Sequence, residues 1–278
     1  MDSPRLAFIG LGNMNGAILR GILASGFDTS RVVGTVRNTE KSQALASELG
    51  VTVLSENSNP SANQDAVQDA DIVFLGVKPF GIAEMCEHLK DHLKEGSVVV
   101  SVAAAITTET MEKHLNPGQS VIRTMPNVPL QVGKGAVGLS AGTNASESHV
   151  KAATELFEPS GIVVRVPEEQ LDAVSAISGS GPAYAFYLAE LIAEAGEKLG
   201  LAPELSRELA RATVAGAGLM LDDPAANPVE LRKSVTSPNG TTEVALRIFA
   251  ERGLGDIIAE GAAGATARAQ EISKDLAS

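Results

Sequence analysis

Residues 8–19 read FIGLGNMNGAIL. An apolar run enters Gly10-Leu11-Gly12 and leaves through Leu11, Met14, Ile18 and Ile22 at three- and four-residue spacing. That is the pattern of a strand, a tight turn and an amphipathic helix. Gly10 permits the sharp turn, and Gly12 lets the backbone approach a pyrophosphate at the helix N-terminus, where unpaired N–H groups and the helix dipole favour an anion. Where a third glycine would bring the helix close to the sheet, the chain has Asn15, with Gly16 one step late. Either Asn15 faces that contact or the helix shifts and Gly16 takes it. A purely structural Gly-rich turn could carry the same letters; the setting favours a dinucleotide turn, because further strand–helix pairs follow.

Outward from this turn, RLAFIG, SRVVGTV, VTVL, DIVFLGV, SVVVSVA and QSVIRT are strand candidates within the first 165 or so residues. Their apolar runs lack polar alternation, as expected of a largely parallel sheet covered on both faces. After about Gln170 the texture becomes helical. AYAFYLAELIAEAGEKLG places Tyr184, Leu188, Leu191, Ala195 and Leu199 on one face and stops at Gly200. Pro203 opens the next helix, Asn227-Pro228 gives an N-cap followed by proline, and two more helices flank ERGLG. The expected fold is α/β: a Rossmann-like domain with a mainly parallel sheet over residues 1–167, then an all-helical substrate and dimerisation domain over 168–278. The small residues of ATVAGAG and EGAAGATARA suit tight packing within one subunit, or helices of two subunits crossing closely in a homodimer. The homodimer is the favoured reading.

Hydrophobic residues make up 44% of the 278, ample for two cores, while aromatics are 3% with no Trp, so packing relies on Ala, Val, Leu and Ile. The net charge of −12, from 22 basic and 34 acidic residues, comes without a basic stripe and argues against a nucleic-acid surface. Any anionic ligand must then be held by local devices, such as a helix N-terminus or a single Arg. A lone Cys86 excludes an intrachain disulfide and fits a reducing compartment. The first strand begins by Leu6, leaving no room for a signal or transit peptide, and GSVVVSVAAAITT is too short to span a bilayer. A soluble cytoplasmic protein without membrane partners is expected.

The end of the second strand discriminates between cofactors. An NAD site places Asp or Glu there, on the ribose hydroxyls. Here GTVRNTEKS ends the strand at Val36 and continues with Arg37, Asn38 and Thr39 at a helix start, with Glu40 too far along to replace the missing acid. Arg37 is either a solvated side chain or the holder of a 2′-phosphate. NADPH is the expected cofactor, NADH the other candidate.

Four further stretches narrow the chemistry: GVKP at 76–79, MPNVP at 125–129, SGSGPAY at 178–184 and TSPNGTT at 236–242. Together, and in this order over nearly the whole chain, they resemble the pyrroline-5-carboxylate reductase family. The resemblance implies a Rossmann-like N-domain, a helical domain that dimerises, dimers that assemble into larger rings, and NAD(P)H-dependent reduction of a small-molecule ring imine to proline, the last step of proline biosynthesis. By motif position it implies that Gly10, Leu11, Gly12, Asn13 and Met14 hold the pyrophosphate. Arg37, Asn38 and Thr39 would contact the adenosine phosphate, Asn63 would reach its ribose, and Val77, Lys78, Pro79, Ala103, Ala104 and Ala105 would line the nicotinamide. Substrate contacts would fall on Ser237, Thr241 and Thr242, with Glu168 a lesser candidate. The chain departs from the family pattern at Asn15, at Val128 where the pattern has Thr, and at Asn239 where it has Gly. The last matters if that position needs φ > 0, although Asn tolerates it better than most residues.

TSPNGTT makes physical sense as a carboxylate cradle: Pro238 presets a turn, Asn239-Gly240 completes it, and Thr241-Thr242 open a helix whose N–H groups point outward. Reducing a protonated imine asks little acid–base machinery, and holding two rings face to face can supply much of the rate. Thr242 is the candidate catalytic hydrogen-bond partner of the ring nitrogen, directly or through water; alternatively it only caps its helix. Lys78 either acts chemically or shapes the cofactor pocket. His88 and His92 share a helix face near Cys86, but without a third ligand placed elsewhere they suit a solvated face, and no metal is expected. Tyr184 lies on the apolar stripe and is expected in the core rather than as a proton donor. Competing readings are another NADP-dependent imine reductase, a hydroxyacid dehydrogenase-like enzyme, and a non-catalytic NADP(H) sensor. The dehydrogenases place a Lys early in the first long C-terminal helix, where GSGPAYAFYLAE has none before Lys198.

Overall fold

The computed structural model describes residues 3–277. Strands β1 (Leu6–Ile9), β2 (Val32–Val36), β3 (Thr52–Ser55), β4 (Ile72–Leu75), β5 (Val98–Ser101), β6 (Ser120–Met125), β7 (Gly135–Ala141) and β8 (Gly161–Arg165) form one sheet. Its order is β3-β2-β1-β4-β5-β6-β7-β8. Every pairing is parallel except β6 with β7. The first six strands are the apolar runs identified in the sequence. β7 and β8 were not expected. β7 carries two glycines in GAVGLSA, and β8 is an edge strand with Ile162 and Val164 exposed, so neither shows a clean signal.

Strand alternation sorts the core into two layers. Phe8 and Phe74 point to one face, where they meet α1 (Asn13–Ala24), α2 (Thr39–Leu49) and α6 (Glu147–Phe157) through Ile18, Ile22, Leu45 and Leu156. The rings of Phe8 and Phe74 stack with centroids 4.5 Å apart, and Phe157 meets Phe74 edge-on at 5.8 Å. Ala7, Ile9, Val73 and Leu75 point to the other face, against α3 (Ala62–Val67), α4 (Ile82–Leu89) and α5 (Thr108–Lys113). Cys86 packs in this second layer; burial pushes its thiol up to about 12, the Glu87 charge adding to the effect, so it stays protonated and unreactive. His88 and His92 face solvent, so the three do not converge.

Asn15 is 1% exposed, so the departure in the turn is a packing feature. Its amide donates to the carbonyls of Ile9 at 3.3 Å and Gly10 at 3.2 Å. Room for it comes from Gly76, just past β4: a Cβ there would strike the Asn15 amide. Gly16 has no such role, since a Cβ on it would meet only the end of Arg20. The small residue demanded by close helix–sheet contact has moved to the facing strand. Gly76→Ala is therefore expected to cost about 2 kcal/mol, the usual penalty of overpacking. Asn15→Ala in the same chain should recover more than ~1 kcal/mol of it. Denaturant unfolding of the two single variants and the double variant reads this coupling directly; additive effects would contradict it.

The helical half contains α7 (Leu171–Val174), a π turn at Ser175–Gly179, α8 (Gly181–Lys198), α9 (Pro203–Met220), α10 (Pro228–Ser234), α11 (Thr241–Glu251) and α12 (Leu254–Ala277). The chain forms two compact units, one running to Gly179 and resuming at Ala265, the other spanning Ser180–Gly264. Residues 168–179 cluster with the sheet because Leu171 is fully buried and, with Val174, packs where Gly138 of β7 leaves room. In the second unit α8 packs along α9. Its expected apolar stripe is not core: Tyr184 is 42% exposed and Leu199 85% exposed. Among the described residues no helix is long and apolar enough to cross a membrane.

Candidate functional site

Strand order reverses between β1 and β4, and in open α/β sheets the ligand crevice lies outside the C-terminal strand ends at such a switch point. Gly10 turns there with φ +80°. Gly12 is the N-cap of α1 and offers no side chain, so among the described residues no side-chain cap covers the first-turn N–H groups of Asn13 and Met14. A Cβ on Gly12 would meet no atom within 4 Å and would project into open space, where a diphosphate would have to approach. Leu11 is different. Its side chain is buried against Gly34 of β2, so only its backbone faces the crevice.

At the end of β2 the Arg37 guanidinium is exposed and has no hydrogen-bond or ion-pair partner among the described residues. Asn38 caps α2 by accepting from Lys41 N–H at 2.8 Å, and Thr39 Oγ1 lies 3.0 Å from Ser55 Oγ. Ser55 Oγ donates to the Arg37 carbonyl at 3.0 Å. Arg37 thus presents a free cation, whereas Asn38 and Thr39 have backbone N–H groups to offer. Ser55 was missed in the sequence; the only signal is a polar residue closing the strand TVLS. Asn63 on α3 is 8% exposed, and its Oδ1 is buried without a partner. A buried acceptor left open fits a ligand hydroxyl, so the residues present suit a dinucleotide.

Past β4 and β5 lie Gly76, Val77, the exposed Lys78, and Pro79 at the start of a 3-10 turn. Ala103 and Ala105 are each 5% exposed and Ala104 is exposed; Ala103 N–H donates to Ser101 Oγ at 3.2 Å. Ala105 adopts φ +62°, a left-handed conformation that an alanine rarely takes. Glu168 accepts from Thr108 N–H at 2.7 Å, from Thr108 Oγ1 at 2.5 Å and from Arg123 at 3.3 Å. Arg123 also donates to Asp172 at 2.8 Å.

The other expected contacts lie in the second unit. Gly240 N–H donates to the Ser237 carbonyl at 3.0 Å and Asn239 has φ +58°. With Pro238 before it, this is a type II turn, whose third position demands Gly or Asn. Glu243 steadies it by accepting from Asn239 N–H at 2.7 Å. Gly240, not Thr242, is the N-cap of α11, and no side chain caps that end. The hydroxyls of Ser237, Thr241 and Thr242 make no hydrogen bond among the described residues. One turn thus gathers three hydroxyls and a bare helix N-terminus, donors suited to a carboxylate.

Residues 168–272 match the family model for pyrroline-5-carboxylate reductase dimerisation, and residues 5–105 match that for coenzyme F420-dependent NADP oxidoreductase. The pyrroline-5-carboxylate reductase of Pseudomonas aeruginosa is 37% identical over 277 residues, 99% of each chain. The chain belongs to the pyrroline-5-carboxylate reductase family. The Corynebacterium melassecola member is 35% identical, over 97% of this chain and 98% of its own. The solved member from Coxiella burnetii superposes with a TM-score of 0.91 at 36% identity, covering 98% of this chain and 99% of that one. A Plasmodium falciparum pyrroline carboxylate reductase solved with NADP bound shares the fold, with a TM-score of 0.82 at 23% identity over 98% of this chain and 99% of that one. The match to a dimerisation domain accounts for the apolar faces that the single chain leaves bare: Phe186, Tyr187 and Leu188 on α8, and Leu219 and Met220 on α9, are each more than half exposed. Such faces are covered when copies of a chain associate.

Proposed function

We infer that the protein is a pyrroline-5-carboxylate reductase, which reduces the ring C=N bond of its substrate to give L-proline, with NADPH the preferred donor and NADH the second. The observation that carries this reading is the Ser237–Thr242 turn, where open hydroxyls meet an uncapped helix N-terminus. An acidic chain has few spare cations, and this arrangement holds a carboxylate without one. Ser237, Thr241 and the first N–H groups of α11 bind the substrate carboxylate. The Thr242 hydroxyl accepts from the protonated ring nitrogen, directly or through water.

When bound, the cofactor supplies the hydride. Gly10, Gly12, Asn13, Met14 and the Leu11 backbone hold its pyrophosphate. Arg37 and the N–H groups of Asn38 and Thr39 hold the 2′-phosphate, and Asn63 Oδ1 accepts from a ribose hydroxyl. Val77, Lys78, Pro79 and the Ala103–Ala105 loop shape the nicotinamide pocket. The protein works in the cytoplasm as a homodimer through its C-terminal helices, with rings of dimers as the larger assembly.

Arg37→Ala tests the cofactor reading and the reaction together. With pyrroline-5-carboxylate as substrate, kcat/KM for NADPH should fall roughly tenfold to a hundredfold, the worth of a charge-assisted hydrogen bond. The value for NADH should stay within about twofold, because that cofactor lacks the phosphate. Equal losses with both cofactors would remove Arg37 from the site.

A further inference from the structure

Arg123 is unusual among the residues of β6. Its side chain is 5% exposed, yet it carries a full charge and reaches Glu168 at 3.3 Å and Asp172 at 2.8 Å. A buried guanidinium persists only when it is paired and hydrogen-bonded. Glu168 in turn uses one oxygen for both Arg123 and the Thr108 N–H, and the other for the Thr108 hydroxyl. Thr108 is 6% exposed and opens α5. The network therefore ties the far end of the β5–α5 loop to β6 and α7.

That loop begins at the C-terminal end of β5, two strands from β1 on the ligand-binding edge of the sheet. It contains Ala105 at φ +62°, buried, in a left-handed conformation that alanine rarely adopts. A strained residue persists only where its surroundings over-determine it, and such residues collect at ligand sites. Below it, Ser101 is fully buried and accepts from Ala103 N–H, while Thr124 Oγ1 donates to the Ser101 carbonyl at 2.8 Å. The loop is pinned at both ends, and Glu168 is the pin at the distal end.

We propose that Glu168 is a positioning residue: through Thr108 and Arg123 it holds the β5–α5 loop, Ala105 included, in the shape that receives the cofactor. This rests on the cofactor site inferred above. It differs from direct contact with the substrate in what it moves, because a loop-positioning residue changes cofactor affinity whereas a substrate ligand changes substrate affinity.

The test is titration of the full-length protein with NADPH, followed by nucleotide fluorescence in the absence of substrate. Wild type, Glu168→Gln and the milder Thr108→Val are compared. Glu168→Gln should raise the NADPH Kd about five- to tenfold, since it removes the charge that pairs the buried Arg123 from a part-buried network while keeping its shape. Thr108→Val should raise it by a smaller factor in the same direction, and KM for pyrroline-5-carboxylate at saturating NADPH should change less than about twofold in both. A raised substrate KM with an unchanged NADPH Kd would overturn the proposal in favour of direct substrate contact. A lowered Tm with both constants unchanged would overturn it in favour of a purely structural tether. If Glu168→Gln does not fold, an unchanged Kd in Thr108→Val overturns it alone. Failure of the wild type to bind NADPH would sink the cofactor reading itself and this inference with it.

Discussion

Thr242→Val should lower kcat/KM for pyrroline-5-carboxylate by roughly a hundredfold, the upper end of what is lost when the hydrogen-bond partner of a charged, oriented group is removed. The substitution keeps the shape of the side chain and removes only the hydroxyl. Gly240 is the N-cap and the Thr242 hydroxyl makes no hydrogen bond among the described residues, so no structural hydrogen bond between them is lost with it. Stability should stay within about 0.5 kcal/mol, as for surface changes away from a cap or a core. Steady-state kinetics with both substrates varied separate the effects: kcat should fall while the NADPH Kd holds. Thr241→Val makes the comparison, raising KM for the imino acid more than it lowers kcat. If Thr242→Val left turnover intact, the ring nitrogen would have to be served by another group.

The second large effect is expected at the other end of the chemistry. A Cβ on Gly12 meets no neighbour within 4 Å, and the position is extended, with φ −84° and ψ −167°, so Gly12→Val needs no left-handed backbone. The fold should tolerate it at about 1 kcal/mol, the usual difference between Gly and an aliphatic residue at an N-cap. The branched side chain, however, fills the approach to the bare N–H groups of α1, and NADPH affinity should drop about a hundredfold, the upper range for losing a hydrogen bond to a charged group. NADH should suffer equally, since both cofactors carry the diphosphate. That separates Gly12 from Arg37, whose removal should penalise NADPH alone. Calorimetric titration of the variant with each cofactor decides it; a loss confined to NADPH would contradict the placement of the diphosphate.

What could be read in the sequence was mostly local. FIGLGNMNGAIL announced its strand, turn and helix because the glycines and the apolar spacing sit within twelve consecutive residues. Asn239 could be tied to a positive φ because Pro-Asn-Gly is itself a turn signal. The partner of Asn15 was hidden because Gly76 lies on another strand, and nothing in either segment names the other. Arg123 and Glu168 are separated by 45 positions, and only folding brings them together. Ala105 gave no hint of its left-handed backbone, since positive φ is marked in a sequence by Gly or Asn and alanine is neither. The stripe through Tyr184 was correctly periodic, but periodicity marks a face that will be covered without saying whether the same chain covers it. β7 and β8 fell below notice because glycines break the apolar run of GAVGLSA, while GIVVR is a short edge strand left half exposed, so neither carries the continuous apolar signal of the first six strands.

The most direct test of the account is the oxidation of NADPH and of NADH by the purified protein, followed at 340 nm with pyrroline-5-carboxylate as the only other substrate and proline measured as product. Stoichiometric conversion to proline, with NADPH the better donor, is the predicted result. Cofactor binding without oxidation would contradict the account, because a chain carrying both the Gly10–Met14 turn and the Ser237–Thr242 cradle would then be using them for some other substrate.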